Sequence, residues 1–193
     1  MTVDRKLRRK VLLTSFLNTF AKHGLDKTSM RYLIVESGIS SSFIYEMFEG
    51  RDQMVIETIR YYYQSLIDAN DAMRKDENLT FIDFLNNVEN LAVSNLMYDR
   101  FVMQSILHPG YRPRVFDLVE QLMADQAALS VELAEKEGIQ TEYAKVAMDY
   151  LYSLLNSYAI MMNEELFHIQ MDRMRKFWNC LQQGEEPKPT WQL

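Results

Sequence analysis

The chain has 193 residues, 48% hydrophobic and 25% charged, with 4 Pro and 6 Gly, which excludes a disordered polymer and leaves room for one compact domain or two small ones. No apolar run approaches the ~20 residues that cross a bilayer, and no apolar signal-peptide core follows the basic start MTVDRKLRRK, so a soluble, cytoplasmic protein with no membrane partner is expected. A single cysteine, Cys180, excludes an intrachain disulfide and a multi-cysteine metal site.

The net charge of −6 is unevenly spread: residues 1–60 hold ten Lys and Arg against seven Asp and Glu, and the remainder holds eleven against twenty. A basic end attracts a polyanion that an acidic body repels. From Asp4 to His23, apolar residues at Leu7, Val11, Leu12, Phe16, Leu17 and Phe20 follow one face of a helix that Gly24 ends. Arg5, Lys6, Arg8, Arg9 and Lys10 crowd its start. The helix dipole disfavours cations there; a DNA backbone or a solvated surface run accounts for them.

Thr28 to Phe48, TSMRYLIVESGISSSFIYEMF, reads as two short helices about a tight corner. Thr28 or Ser29 caps the first, Gly38 supplies the positive φ of the corner, Ile39 plugs it, and Ser40 is placed to cap the second. Two helices around such a turn make a helix-turn-helix. A long helix follows from about Gln53 to Lys75, with Asp52 as its cap. Thr80 and Asp83 make a capping-box start for a helix to Tyr98, and a shorter one holds Arg100 to His108. Beyond the break PGYRP, helices are expected over about 114–137, 141–163 and 170–183, with a frayed tail. No strand-like alternation is present, so the fold class is all-α, with eight or nine helices.

The first fifty-odd residues resemble the DNA-binding domain of the TetR family of bacterial transcriptional regulators. The resemblance rests on Phe20-Ala21 with Gly24, on Thr28-Ser29-Met30-Arg31, on Gly38-Ile39-Ser40, on Tyr45 with Phe48, and on Arg51, where the family usually has a lysine. It implies a helix-turn-helix domain over 1–50 and a helical effector-binding and dimerisation domain over 51–193. It further implies a homodimeric repressor on palindromic double-stranded DNA, its two reading helices about one turn apart, roughly 34–36 Å. Carried over, Thr28, Tyr45 and Arg51 would contact phosphates. Ser29, Arg31 and Ser40 belong to the same interface, and Ser41, Ser42, Phe43 and Glu46 would face bases or nearby backbone. The reading helix departs from the family in carrying no Lys or Arg. Glu46 suits cytosine N4, and Phe43 either packs on a thymine methyl or completes the small core.

Met97, Tyr98, Phe101, Met103, Tyr150, Tyr158 and Met162 suit an adaptable pocket for an apolar or aromatic small-molecule effector, or ordinary core. Helices 141–163 and 170–183 are expected to form the homodimer interface, the first being too apolar all round to face water. His23, His108 and His168 stand in no ligand spacing, Cys180 reads as a small buried hydrophobe, and no phosphate loop or nucleophile elbow occurs. No catalytic residue, cofactor or metal is therefore expected. A helical ligand- or partner-binding dimer without ordinary DNA recognition is the alternative, and an all-α enzyme a third.

Overall fold

The computed structural model describes residues 3–185, and the regular structure among them is entirely helical. The helices are α1 Val3–His23, α2 Met30–Ser37, α3 Ser41–Met47, α4 Arg51–Met73, α5 Phe81–Ser94, α6 Leu96–Leu107, α7 Arg112–Lys136, α8 Thr141–Met161 and α9 Glu164–Gln182. They divide into two compact units. One takes residues up to Leu66 together with Met97–Leu122; the other takes Ile67–Leu96 and the chain from Met123 onward. The helix-turn-helix thus shares its unit with most of α4, all but the first residue of α6 and the start of α7, where the sequence suggested a boundary at residue 50.

The first unit is built on α1. Leu12, Phe16, Phe20 and Leu33 are fully buried with Ile44, Met54 and Ile59. Each such side chain contributes about 2 kcal/mol on leaving water. Phe20 stacks on Phe101 of α6 at 4.5 Å, so α6 is part of this core. The buried face of α1 is rotated from the expected one. Leu13 is buried, while Leu7 and Val11 are exposed, because the first turns of α1 have only the short α3 and the α4 face to pack on.

In the second unit, Phe81 of α5 stacks on Trp178 of α9 at 3.7 Å. The Glu137 carboxylate, just past α7, ties three elements together. It accepts from the Phe81 backbone N–H at 2.6 Å, from Trp178 Nε1 at 2.7 Å and from Gln182 Nε2 at 2.8 Å. Arg74, after α4, donates to the Asp125 carboxylate and backbone carbonyl of α7 at 2.9 and 3.0 Å. His168 and Arg175 of α9 both engage the buried Glu89 of α5. Cys180 is half-buried.

Four boundaries differ from the sequence expectation. Asp52 lies inside the first turn of α4 and is not its cap. The helix expected to reach Tyr98 breaks at Asn95, whose N–H donates to Leu91 at 2.8 Å; no Gly or Pro marks the spot. α7 starts at Arg112 because Pro113 sits in the first turn, where its missing N–H costs nothing. α9 starts at Glu164, six residues early: Asn163 accepts from the Leu166 N–H at 2.9 Å, and Glu164 and Glu165 suit the helix start. Met162 makes the corner before it in the left-handed region, at φ 55°. Of the tail expected to fray, residues 186–193 lie outside the described residues.

Candidate nucleic-acid interface

The helix-turn-helix is set by local chemistry. Ser29 caps α2, its Oγ accepting from the Tyr32 N–H at 3.2 Å. Gly38 adopts φ 63°, a conformation a Cβ would strain, and its N–H closes α2 on the Val35 carbonyl at 3.2 Å. Ser40 occupies the cap position of α3 without a side-chain capping bond, contrary to expectation. Its hydroxyl instead accepts from Ser42 Oγ at 3.4 Å. Ile44 and Met47 anchor α3 to the core, leaving Ser41, Ser42, Tyr45 and Glu46 exposed. Tyr45 is 59% exposed, a large aromatic ring facing water on a seven-residue helix. Arg31 is exposed at the start of α2.

The basic cluster of α1 braces α3. Arg5 pairs with Glu46 at 3.1 Å and donates to Met47 Sδ at 3.3 Å. Arg8 lies over the Phe43 ring at 5.9 Å, and Arg9 over Phe48 at 5.2 Å while pairing with Glu57 of α4 at 2.8 Å. These contacts explain two sequence puzzles. Glu46 has a cation beside it, and Phe43 is half-buried against the core under a guanidinium. Lys6 and Lys10 remain exposed on the same helix.

Arg51 is used inside the protein. Its Nε donates to the Thr28 carbonyl at 2.8 Å, Nη2 to the Leu25 carbonyl at 2.5 Å, and Nη1 to the Tyr111 hydroxyl at 2.7 Å. The planar fork thereby closes the α1–α2 turn onto α4 and the start of α7, which a lysine's single ammonium does not match. Thr28, expected to offer its hydroxyl to a phosphate, is fully buried and donates it to the Gly24 carbonyl at 2.7 Å. Gln104 of α6 completes the clamp, accepting from the Leu25 N–H at 2.8 Å. Sequence reasoning missed Gln104 and Tyr111. Neither lies in a local motif, and each meets its partners across 59 to 79 residues.

The chain is similar to a solved structure of a member of the TetR transcriptional regulator family from Streptomyces coelicolor A3, at 21% identity over 77% of this chain and 76% of that one, with a TM-score of 0.48. No protein-family model and no curated protein matches the chain.

The seven residues suggested for an effector pocket fall in both units. On α6, Phe101 is core and Tyr98 donates its hydroxyl to Asn18 at 2.7 Å, while Met97 is exposed and Met103 half-buried. On α8, Tyr150 donates to Gln170 at 2.6 Å, and Tyr158 is buried in a 4.3 Å stack on Phe167; Met162 is exposed just beyond. Of these, Tyr158 lines a cleft of about 90 Å³ between the end of α8 and the start of α9. That volume is small against the roughly 300–1,000 Å³ of ordinary ligand pockets.

The first unit holds a polar cluster at the junction of α4 and α6. Tyr62 of α4, buried, donates to the Asp99 carboxylate of α6 at 2.7 Å, with the Tyr98 and Tyr63 rings 5.6 and 5.7 Å from its own. Burial pushes the Asp99 carboxyl up to about 7, although the Tyr62 hydrogen bond pulls the other way. One turn earlier on α4, the fully buried Thr58 hydroxyl has no hydrogen-bond partner among the described residues.

The second unit carries an uncovered apolar stripe. Val146, Ile160 and Met161 of α8 and Leu166 and Ile169 of α9 are all exposed, with Tyr150 and Leu154 half-buried between them. On α8 the spacing 146, 150, 154, 157, 161 follows one helical face. No helix among the described residues is long and apolar enough to cross a membrane.

Proposed function

We propose that the protein is a transcriptional regulator that binds double-stranded DNA as a homodimer, with α3 in the major groove and α8 and α9 of two copies packed together. The observation that carries this reading is the outer face of α3. It presents Ser41, Ser42 and Tyr45 to solvent on a helix pinned from behind by Ile44 and Met47 and braced by Arg5, Arg8 and Arg9. A rigid helix offering hydroxyls and an exposed phenol matches what reading bases and gripping phosphates requires. Ser29, Ser40, Arg31, Lys6 and Lys10 flank it with further donors. Arg51 acts through the α1–α2 turn it holds. In this reading the protein acts as a repressor on a palindromic operator, and an apolar or aromatic effector releases it by favouring another dimer geometry.

Binding to the DNA upstream of the protein's own gene, followed across a salt series, tests the proposal. Sequence-selective, salt-sensitive retardation supports it; its absence overturns it. A second reading, a helical dimer that recognises a partner without reading DNA, is favoured by the absence of any cation on α3 and the internal use of Arg51. Arg51→Ala breaks three bonds inside the protein, so Tyr45→Ala is the cleaner discriminator. It should abolish selective binding under the first reading and leave function in the cell intact under the second.

A further inference from the structure

Between Asp99 and Asp117 the chain carries Arg100, Arg112 and Arg114 and no acid. Arg112 and Arg114 lie in the first turn of α7, just past the corner between α6 and α7, which is tightly made. The His108 carbonyl accepts from the Tyr111 and Arg112 N–H groups at 3.1 and 3.0 Å, and the Gly110 N–H donates to His108 Nδ1 at 3.1 Å. The corner is fastened to the start of α4, and α6 just before it to the turn between α1 and α2. Tyr111, 2% exposed, bonds Arg51 and donates to Asp52 at 2.6 Å, and Gln104 holds the Leu25 N–H. Arg51 in turn bonds the carbonyl of Thr28, the residue before the Ser29 cap of α2. The corner therefore stands beside the N-terminus of α2, the end of a helix-turn-helix that faces a DNA backbone. Arg112 and Arg114 are exposed, and no ion pair to either is found among the described residues. Arg114 is near enough to the Tyr111 phenol to oppose the upward push that burial gives it.

We propose that Arg112 and Arg114 are a second DNA-contacting surface, gripping phosphates of the duplex that flanks the bases under α3. This rests on the regulator reading above and adds to it residues from a part of the chain more than sixty positions beyond α3. Arginine suits the task, since its fork engages a phosphate with two parallel bonds. The contacts carry no sequence information and act on affinity alone.

The experiment compares wild type, Arg112→Ala/Arg114→Ala and Arg112→Lys/Arg114→Lys on two duplexes, the gene's own upstream site and an unrelated sequence of equal length. Fluorescence anisotropy is read across a salt series. Lys75→Ala/Lys176→Ala, which removes the same charge from the second unit, controls for net charge, and a melting curve controls for folding. The alanine pair should lower affinity about tenfold on both duplexes and reduce the slope of log K against log salt by roughly 1 to 2. The lysine pair should restore the slope, and the Lys75/Lys176 control should leave it unchanged. Trimming the flanks of the site should bring wild type down to the alanine variant's affinity. A wild type that binds normally with an alanine variant of unchanged slope overturns this proposal alone. A wild type that binds neither duplex overturns the regulator reading and this proposal with it.

Discussion

The Arg51 guanidinium and the Tyr111 phenol meet at 2.7 Å, joining the start of α4 to the start of α7 across sixty residues of sequence. Tyr111 donates its own hydrogen bond to Asp52 at 2.6 Å, so the hydroxyl is both acceptor and donor. Together with the carbonyls of Leu25 and Thr28, the pair fixes the turn on which α2 begins. Placement of α2 is thus set partly by a residue outside the first hundred.

Tyr111→Phe removes both bonds and leaves the ring in place. A hydrogen bond to a charged group contributes about 1.5–3 kcal/mol, and the arginine left behind retains its other two acceptors. The variant should therefore lose about 2 kcal/mol of stability in urea or thermal unfolding. An unchanged melting curve means that the clamp carries no load.

Glu46→Gln tests the acid on α3. Glu46 and Arg5 are both more than a third exposed, so their pair contributes little to stability, and a change within about 0.5 kcal/mol is expected. Removing the charge frees Arg5 and takes a carboxylate from the exposed face of α3, the face proposed to meet DNA. Affinity for an unrelated duplex at low salt should rise by about threefold to tenfold. A fall, or loss of selective binding with no gain elsewhere, indicates that Glu46 reads a base.

The helix-turn-helix was legible because its determinants are local. Ser29, Gly38 and the alternation of buried Leu33, Ile44 and Met47 each act within a turn or two. The capping box of Thr80 and Asp83 was legible for the same reason, both bonds being present at 3.1 Å. What the sequence hid is the use of side chains across long separations. Arg5, Arg8 and Arg9 read as a cationic run, yet side chains on α3, on the segment after it and on α4 take them up. Thr28 and Arg51 read as phosphate ligands, yet their donors close the α1–α2 turn. Periodicity names the buried face of α1 only to within a residue, which is why Leu7 and Val11 appear in the expected core and stand exposed in the structure. The early start of α9 was there to be read in Asn163-Glu164-Glu165 but was masked by the apolar run before it.

Asp99 gives the stability a pH dependence. Its carboxyl is raised by burial from 3.8 to about 7 in the folded chain. The folded protein therefore holds a proton that the unfolded chain has released between those values, so stability falls as pH rises from about 4 to about 7 and is flat above. Asp99→Asn keeps an acceptor for the Tyr62 hydroxyl and removes the titration. It should be more stable than wild type at pH 8, by about 1–2 kcal/mol, with the difference vanishing near pH 4. Parallel stability profiles for the two proteins from pH 4 to 8 exclude this origin.

The apolar stripe on α8 and α9 bears on assembly. Ile160 is 61% exposed and Val146 59% in the single chain, so Ile160→Glu or Val146→Glu should fold as an isolated chain with little loss. In a face shared by two copies the same carboxylate is buried opposite its own symmetry mate, where an unpaired charge costs several kcal/mol. A cost of about 3 kcal/mol raises the dimer dissociation constant more than a hundredfold. Sedimentation equilibrium should show wild type as a dimer at micromolar concentration and either variant as a monomer. The melting temperature of wild type should rise with protein concentration, and that of the variants should not. A wild type that sediments as a monomer, or a variant that remains dimeric, would falsify the assignment of this face. Loss of DNA retardation in the monomeric variants would then show that two reading helices must be joined to bind.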